Sequence, residues 1–514
     1  MQHIPAEIIN EILKHLVPNI LLVHNPGEFR WNVGQICASW RAVFTSTPWI
    51  WRKFSVDVTQ ITYRNLDDAV HLVKLCIQRS RNQPISFSLL YYDRSHASYA
   101  TCLSQGKMQI MQCVNQILSD LIAESQRWEV VEVEPPLISL KAFCPPNLLN
   151  PFPLLRSMAL QSPTVWMSER WKLFLCTHSL TRVEVSSLPT YDFDWSRLTV
   201  LTLHHAVRVA DVLHVMRRLR CIEKLQLKFS KYSSEADEEQ DGTIALPTLK
   251  VLSCPGDVLR HLSAPALEEL HLRMESCDIR AIRAIRASLG LPWPDGTISF
   301  LRTSSGSLTR LILGRRCCNN SGAKRILQEL PNMTKLCVLV DLDLLDILSY
   351  NLEEGLPVLP KLELLIVDQD QPQAVETLCA TVTSRTSKPS LFEWPYGTGK
   401  LKELRMIRDI HCEGDTSRLR LLCEEREVTY LALERAHMVG HQWCSGVKSC
   451  AFDLCNNDSL FHLETESLWY RWLPSSHFRH RVMFSVLVQL YVFFLLFRRA
   501  PISETPNNII RIFI

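Results

Sequence analysis

The sequence predicts an α/β chain in which three short N-terminal helices lead into an irregular solenoid of parallel strands and helices. Three observations carry that expectation. An apolar unit with large side chains at its first, fourth and sixth positions recurs about ten times between residues 155 and 433. Its starts lie about 18 to 41 residues apart, room for one strand and one return segment each. The first 54 residues instead carry apolar side chains at spacings of three and four, the mark of helices.

In the first helix Pro5 stands at the opening position, where its missing N–H costs nothing, and Ile8, Ile9, Ile12, Leu13 and Leu16 form one stripe. Glu7 and Glu11 near its start and Lys14 and His15 near its end complement the helix dipole. A second stripe runs through Val33, Ile36, Cys37, Trp40 and Phe44. Thr47 then stands ready to cap a third helix opened by Pro48 and carrying Trp49, Ile50 and Trp51. A unit this small cannot bury so many large apolar groups by itself, so the next domain or a partner protein must cover the remainder.

The blocks Ile4-Pro5-x-Glu7-Ile8-x-x-Glu11-Ile12-Leu13, Gln35-Ile36-Cys37-x-x-Trp40-Arg41-x-Val43 and Ser46-Thr47-Pro48-x-x-Trp51 together resemble an F-box, in the form found in large fungal families. Two features depart from the pattern: Ile4 stands where Leu is usual, and the loop from Val17 to Arg30 is longer than in the compact form. The resemblance implies a docking module that binds a Skp-type adaptor, and through it a cullin, in an SCF-type ubiquitin ligase. The adaptor-binding residues it implies are Ile4, Pro5, Ile8, Ile12, Ile36, Cys37, Trp40 and Trp51. The competing reading of the same residues is an internal helical core.

With 46% hydrophobic and 21% charged residues, the 514-residue chain has the composition of a folded protein too long for one compact core. A formal net charge of +3, spread along the chain, gives no reason to expect nucleic acid as a partner. The 18 cysteines are scattered, apart from the Cys317–Cys318 pair, and read as reduced, buried thiols. Met1 to Ile4 leads straight into the first helix without a signal-peptide pattern. The folded body is therefore expected to face the cytosol or nucleus.

After the 1–54 F-box-like part, residues 55–127 read as a linking segment. It holds a strand at Ser55–Val58, a helix through Val70–Ile77, an alternating strand at Pro84–Leu90 and a helix over Met108–Glu124. Residues 128–435 carry the repeats. Trp128/Val131/Val133 opens the series, and Leu155/Met158/Leu160, Leu180/Val183/Val185, Leu198/Leu201/Leu203 and Ile222/Leu225/Leu227 continue it. Leu267/Leu270/Leu272, Leu308/Leu311/Leu313, Met333/Leu336/Val338, Leu362/Leu365/Val367 and Leu401/Leu404/Met406 come next, with a weaker copy at Leu249/Leu252 and a closing one at Val428/Leu431/Leu433. The unit is similar to the leucine-rich repeat, although the asparagine that usually comes after the motif is mostly absent. Independent strand-plus-helix units of an ordinary α/β domain are the alternative, which ten units in one phase make hard to reach by accident.

Ser233 to Gly242 is a charge run that reads as a solvated loop. Residues 436–480 hold His437, His441, Cys444, Cys450 and Cys455, whose spacings lack the C-x₂-C pairs of a structural zinc site, so no metal or cofactor is assigned. Gly397-Thr398-Gly399-Lys400 is only a fragment of a phosphate loop: Trp394 stands in place of its first glycine and Leu401 in place of its hydroxyl. In the hydrophobic tail 481–514, Val482 to Phe497 is sixteen uncharged residues, short of the roughly 17–25 that span a membrane. A membrane anchor, a closing helix and a segment that does not fold all stay open. The sequence therefore points to a non-catalytic receptor whose repeats bind an unknown protein target. The alternative is a repeat scaffold outside any ligase, held on a membrane by 482–497.

Overall fold

The computed structural model describes residues 4–16, 20–23, 36–58, 66–90, 105–133, 152–160, 177–185, 194–206, 209–229, 242–273, 295–313, 320–338, 345, 347–348, 358–369, 374–386, 400–408 and 416–434. The chain divides into two units, Met1–Leu433 and Glu434–Ile514. All the described residues except Glu434 belong to the first unit. The Cys/His segment 436–480, the apolar run 482–497, most of the charged run from Ser233 and the turn before Lys400 lie outside the described residues.

One parallel sheet of fifteen strands organises the first unit. Its strands are β1 (Leu21–Leu22), β2 (Lys53–Asp57), β3 (Ile85–Leu90), β4 (Trp128–Val133), β5 (Ser157–Leu160), β6 (Arg182–Val185), β7 (Val200–Ala206) and β8 (Lys224–Phe229). Leaving aside β9 (Ile244–Ala245) and β11 (Leu262–Ser263), it continues through β10 (Val251–Pro255), β12 (Glu269–Arg273), β13 (Arg310–Leu313), β14 (Lys335–Val338), β15 (Leu364–Gln369), β16 (Glu403–Arg408) and β17 (Thr429–Glu434). Strands β9 and β11 pair with each other in a small second sheet flanking the Gly256–Leu259 helix. Spatial order follows chain order throughout, as stacked repeats require.

Register turns the sequence pattern into a core. From β2 to β16 the fourth-position residues form one unbroken row: Phe54, Phe87, Val131, Met158, Val183, Leu201, Leu225, Leu252, Leu270, Leu311, Leu336, Leu365 and Leu404. All are buried and share one hydrophobic cluster with their first- and sixth-position neighbours, apart from half-buried Pro84 ahead of Phe87. Side chains alternate along a strand, so the first, fourth and sixth places face the same way only because the chain bends ahead of each strand. At that bend the second residue of one unit bonds the second residue of the unit before it. Glu363 N donates to Thr334 O at 2.9 Å, Lys402 N to Glu363 O at 2.8 Å and Thr429 N to Lys402 O at 2.8 Å.

The return segments vary. Helices cover Val209–Met216, Asp295–Ser304, Asn320–Gln328, Ala374–Thr386 and Ser417–Glu425, and a 3-10 turn at Trp195–Arg197 is capped by the Asp194 carboxylate, which accepts from Ser196 N. In place of an asparagine row, hydroxyls hold several carbonyls where strands begin. Ser179 Oγ donates to Leu155 O at 2.9 Å, Ser307 Oγ to Leu267 O at 2.9 Å and Thr248 Oγ1 to Ile222 O at 2.8 Å.

Three expectations change. The weak Leu249/Leu252 copy is a full strand, its sixth place filled by buried Cys254. In the closing unit Val428 is buried, but Leu431 is 41% exposed, and Tyr430 turns inward with its hydroxyl 3.5 Å from Met406 Sδ. The strands of the 55–127 segment belong to the same sheet as those of 128–435, so the repeats begin ahead of Trp128.

Among the described residues no helix is long and apolar enough to cross a membrane. Removing a rung of the central row leaves a cavity, so Leu270→Ala is expected to cost about 2–5 kcal/mol in urea unfolding. Leu431→Ala at the exposed end is expected to stay within about 0.5 kcal/mol.

Candidate functional site: the outer face of the N-terminal helices

The Ala6–Leu16 helix starts on Pro5, whose carbonyl accepts from Ile8 N at 3.1 Å and Ile9 N at 3.2 Å. Successive residues on a helix point about 100° apart, so Ile8 and Ile9 part company. Ile9 and Leu13 are buried, whereas Ile8 is 48% exposed. Ile4 and Ile12 lie half-buried at the border between the two faces and Pro5 is exposed. The second helix, Ala38–Ser46, begins later than the stripe from Val33 predicts. Cys37 sits at its cap position in an extended conformation, with no side-chain capping bond, and Ile36 precedes it. Ile36 is 47% exposed and Cys37 is exposed.

The two tryptophans of the predicted docking set lie inside. Trp40 is buried beside Phe44 on the inner side of its helix, and Trp51 is fully enclosed. The Trp51 indole N–H donates to Phe44 O at 2.9 Å, its ring meets the Phe44 ring edge-on at 4.9 Å, and the Arg79 guanidinium lies 4.4 Å from its centre. Thr47 does precede the Pro48–Trp51 helix, but its hydroxyl donates back to Val43 O at 2.6 Å instead of capping. Trp49 is half-buried, its indole donating to Asn10 Oδ1 at 3.2 Å and so tying the third helix to the first. The predicted set is thus divided: Pro5, Ile8, Ile36 and Cys37 outside, Ile4 and Ile12 at the border, Trp40 and Trp51 within.

The sheet face opposite the main core carries a feature that sequence reading missed. Glu269 on β12 meets His271 Nε2 through one oxygen and Arg310 on β13 through the other at 3.2 Å. Burial alone would raise the Glu269 carboxyl, but the hydrogen bonds and charges of His271 and Arg310 hold it below the ordinary carboxylate range. Farther along, Arg405 is buried and donates to Glu403 Oε1 at 2.6 Å, while Ile312, Cys337 and Ile366 between these ion pairs are buried as well. Nearer the N-terminal end, Glu132 is raised by burial and then by Glu184 two strands away. Glu269 and Arg310 stand side by side in register although 41 residues separate them, which is why no local motif announces the pair.

Among the described residues, no group of three or more His, Cys, Asp or Glu side chains could hold a metal ion. Of the described cysteines, Cys37 and Cys221 are exposed and the other six are buried. Burial pushes the Cys76 thiol up to about 12, which keeps it neutral and unreactive at physiological pH.

No protein-family model matches the chain, and no curated protein does. Among solved structures it is similar to a chain from the Rad7 and Elc1 complex of yeast, at 14% identity over 65% of this chain and 87% of that one. The TM-score is 0.31, too low for the likeness to bear on fold or function.

The Glu269 network gives a pH dependence with a definite sign. A carboxyl held below its unfolded value adds stability above the ordinary carboxylate pKa and loses it as pH falls through the lowered value. Glu269→Gln is expected to cost on the order of 1–3 kcal/mol at pH 7. In urea titrations at falling pH the gap to the parent protein should narrow below about pH 4.

Proposed function

We propose that the protein is a non-catalytic substrate-recognition subunit of an SCF-type ubiquitin ligase. In this reading its N-terminal helices dock a Skp-type adaptor and its repeats hold a protein target. The observation that carries it is the division of the N-terminal part: Ile8 on the first helix and Ile36 just ahead of the second leave large apolar surface in solvent, while Ile9, Leu13, Trp40 and Phe44 are buried. Exposed large apolar side chains of this kind are the anchors that protein interfaces use. They fall within the sequence blocks that resemble an F-box, and Pro5 and Cys37 extend the same exposed set.

The mechanism is proximity. The chain supplies no reacting group; it holds a target lysine near a charged ubiquitin-conjugating enzyme, and so raises its effective concentration. The adaptor contact belongs to Ile8, Ile36, Pro5 and Cys37, with Ile4 and Ile12 at its margin. Trp40 and Trp51 support that surface from behind.

The test is co-purification of the full chain with a Skp-type adaptor, beside an Ile8→Asp/Ile36→Asp variant. The native chain should retain the adaptor, and the variant should lose about tenfold or more in affinity with its far-ultraviolet dichroism unchanged. Maleimide labelling, resolved by peptide mass spectrometry, gives a second readout: adaptor should protect Cys37 and leave Cys221 accessible. Absence of adaptor binding by the native chain would remove the ligase reading and leave a repeat scaffold.

A further inference from the structure

We infer that the N-terminal helices have a second role, as the end cap of the repeat stack, and that β1 is the strand that closes it. The inference stands on packing alone and does not depend on the docking reading. Trp51, Phe54 and Val56 occupy the first, fourth and sixth places of a repeat unit, with aromatic residues where later units carry leucine. Phe54 and Val56 are in register with Phe87 and Leu89 of β3. The first place is treated alike in two units: the Trp51 indole donates to the carbonyl seven residues before it, and the Trp128 indole does the same to Leu121 O at 3.0 Å. The second and third helices of the N-terminal part therefore stand ahead of β2 as the Gln105–Ala123 helix and the Ser125–Arg127 turn stand ahead of β4: they are the return segment between β1 and β2.

β1 finishes the stack. Leu21 pairs with Phe54 and Leu22 with Ser55, while Val23 N donates to Ser55 O at 2.9 Å. Leu21 extends the fourth-position row by one rung, and Val23 stands two residues on, in the sixth place. Both are buried, and behind them Ile9, Leu13, Trp40 and Phe44 belong to the same cluster as the repeats. An end unit without a cap would leave its apolar face and strand edge in water, a liability of repeat architectures. Here the edge strand is two residues long, and its buried Leu21 and Val23 share their cluster with the inner side chains of the first two helices, while Ile8 and Ile36 are exposed. An appended docking module would have a separate core and leave β2 as the edge.

Hydrogen exchange on the full chain tests this. Stability in a repeat array is set by neighbouring units, so loosening a cap should be felt near it and fade with distance. In a Leu21→Ala/Val23→Ala variant, amides of β2, β3 and β4 should exchange about tenfold faster or more, with those of β14 to β16 within about twofold of the parent. If the double variant does not fold, Val23→Ala alone is read in the same way. Ile8→Asp/Ile36→Asp, on the outer face, should leave β2 to β4 protected. Faster exchange confined to residues 4–23 and 36–51 would overturn the inference. So would a uniform acceleration through β16, or acceleration of β2 to β4 by the outer-face variant.

Discussion

Each described strand is four to seven residues long, apart from β1, β9 and β11, and carries only a few inward apolar side chains, too few to form a core alone. The structure depends on placing those few in register with the next set, so that one row of fourth-position residues runs from Leu21 to Leu404. Apolar burial is roughly additive in area, and every rung here is shared by two neighbours. Because the constraint acts at the strands, the segments between them are free to differ. That freedom accounts for the coexistence of an 18-residue interval from Leu180 to Leu198 with a 41-residue one from Leu267 to Leu308.

Where an interval is long, specific polar contacts return the chain to register. Ahead of β15 the buried Arg385 guanidinium donates to Leu348 O at 2.9 Å, Leu359 O at 3.0 Å and Val358 O at 2.7 Å. A charged group buried this deeply is tolerated when its donors are satisfied. Leu359 itself has φ 54°, a left-handed conformation costing a side-chain-bearing residue about 1–2 kcal/mol, and the bond to its carbonyl together with its burial holds it there. The strain sits where the chain turns to align Leu365 with the row.

Much of this was legible in the sequence because a six-residue spacing repeated ten times leaves little room for chance. Its failures are equally physical. Trp51-x-x-Phe54-x-Val56 escaped because aromatics replace leucine and Trp51 also fits a helical stripe. Leu21 to Val23 escaped because two paired residues have no period. Leu431 suggested an inward place by analogy, but the last strand has no later described unit against which to pack. The division between Ile8 and Ile9 followed from helix geometry in principle, yet which of the two would be covered depended on a sheet edge that only the fold reveals. The Glu269–Arg310 pair depended on register across an interval of no fixed length.

Neighbours in the main sheet are also successive along the chain, and its first and last strands in sequence are its two edges. Tension applied between those edges would act across the strands rather than along them. Load would fall on one interstrand ladder at a time, at whichever edge yields first, instead of being shared in shear by the whole sheet. A molecule built this way would give under pull in a sequence of small steps, lengthening by one return segment with each.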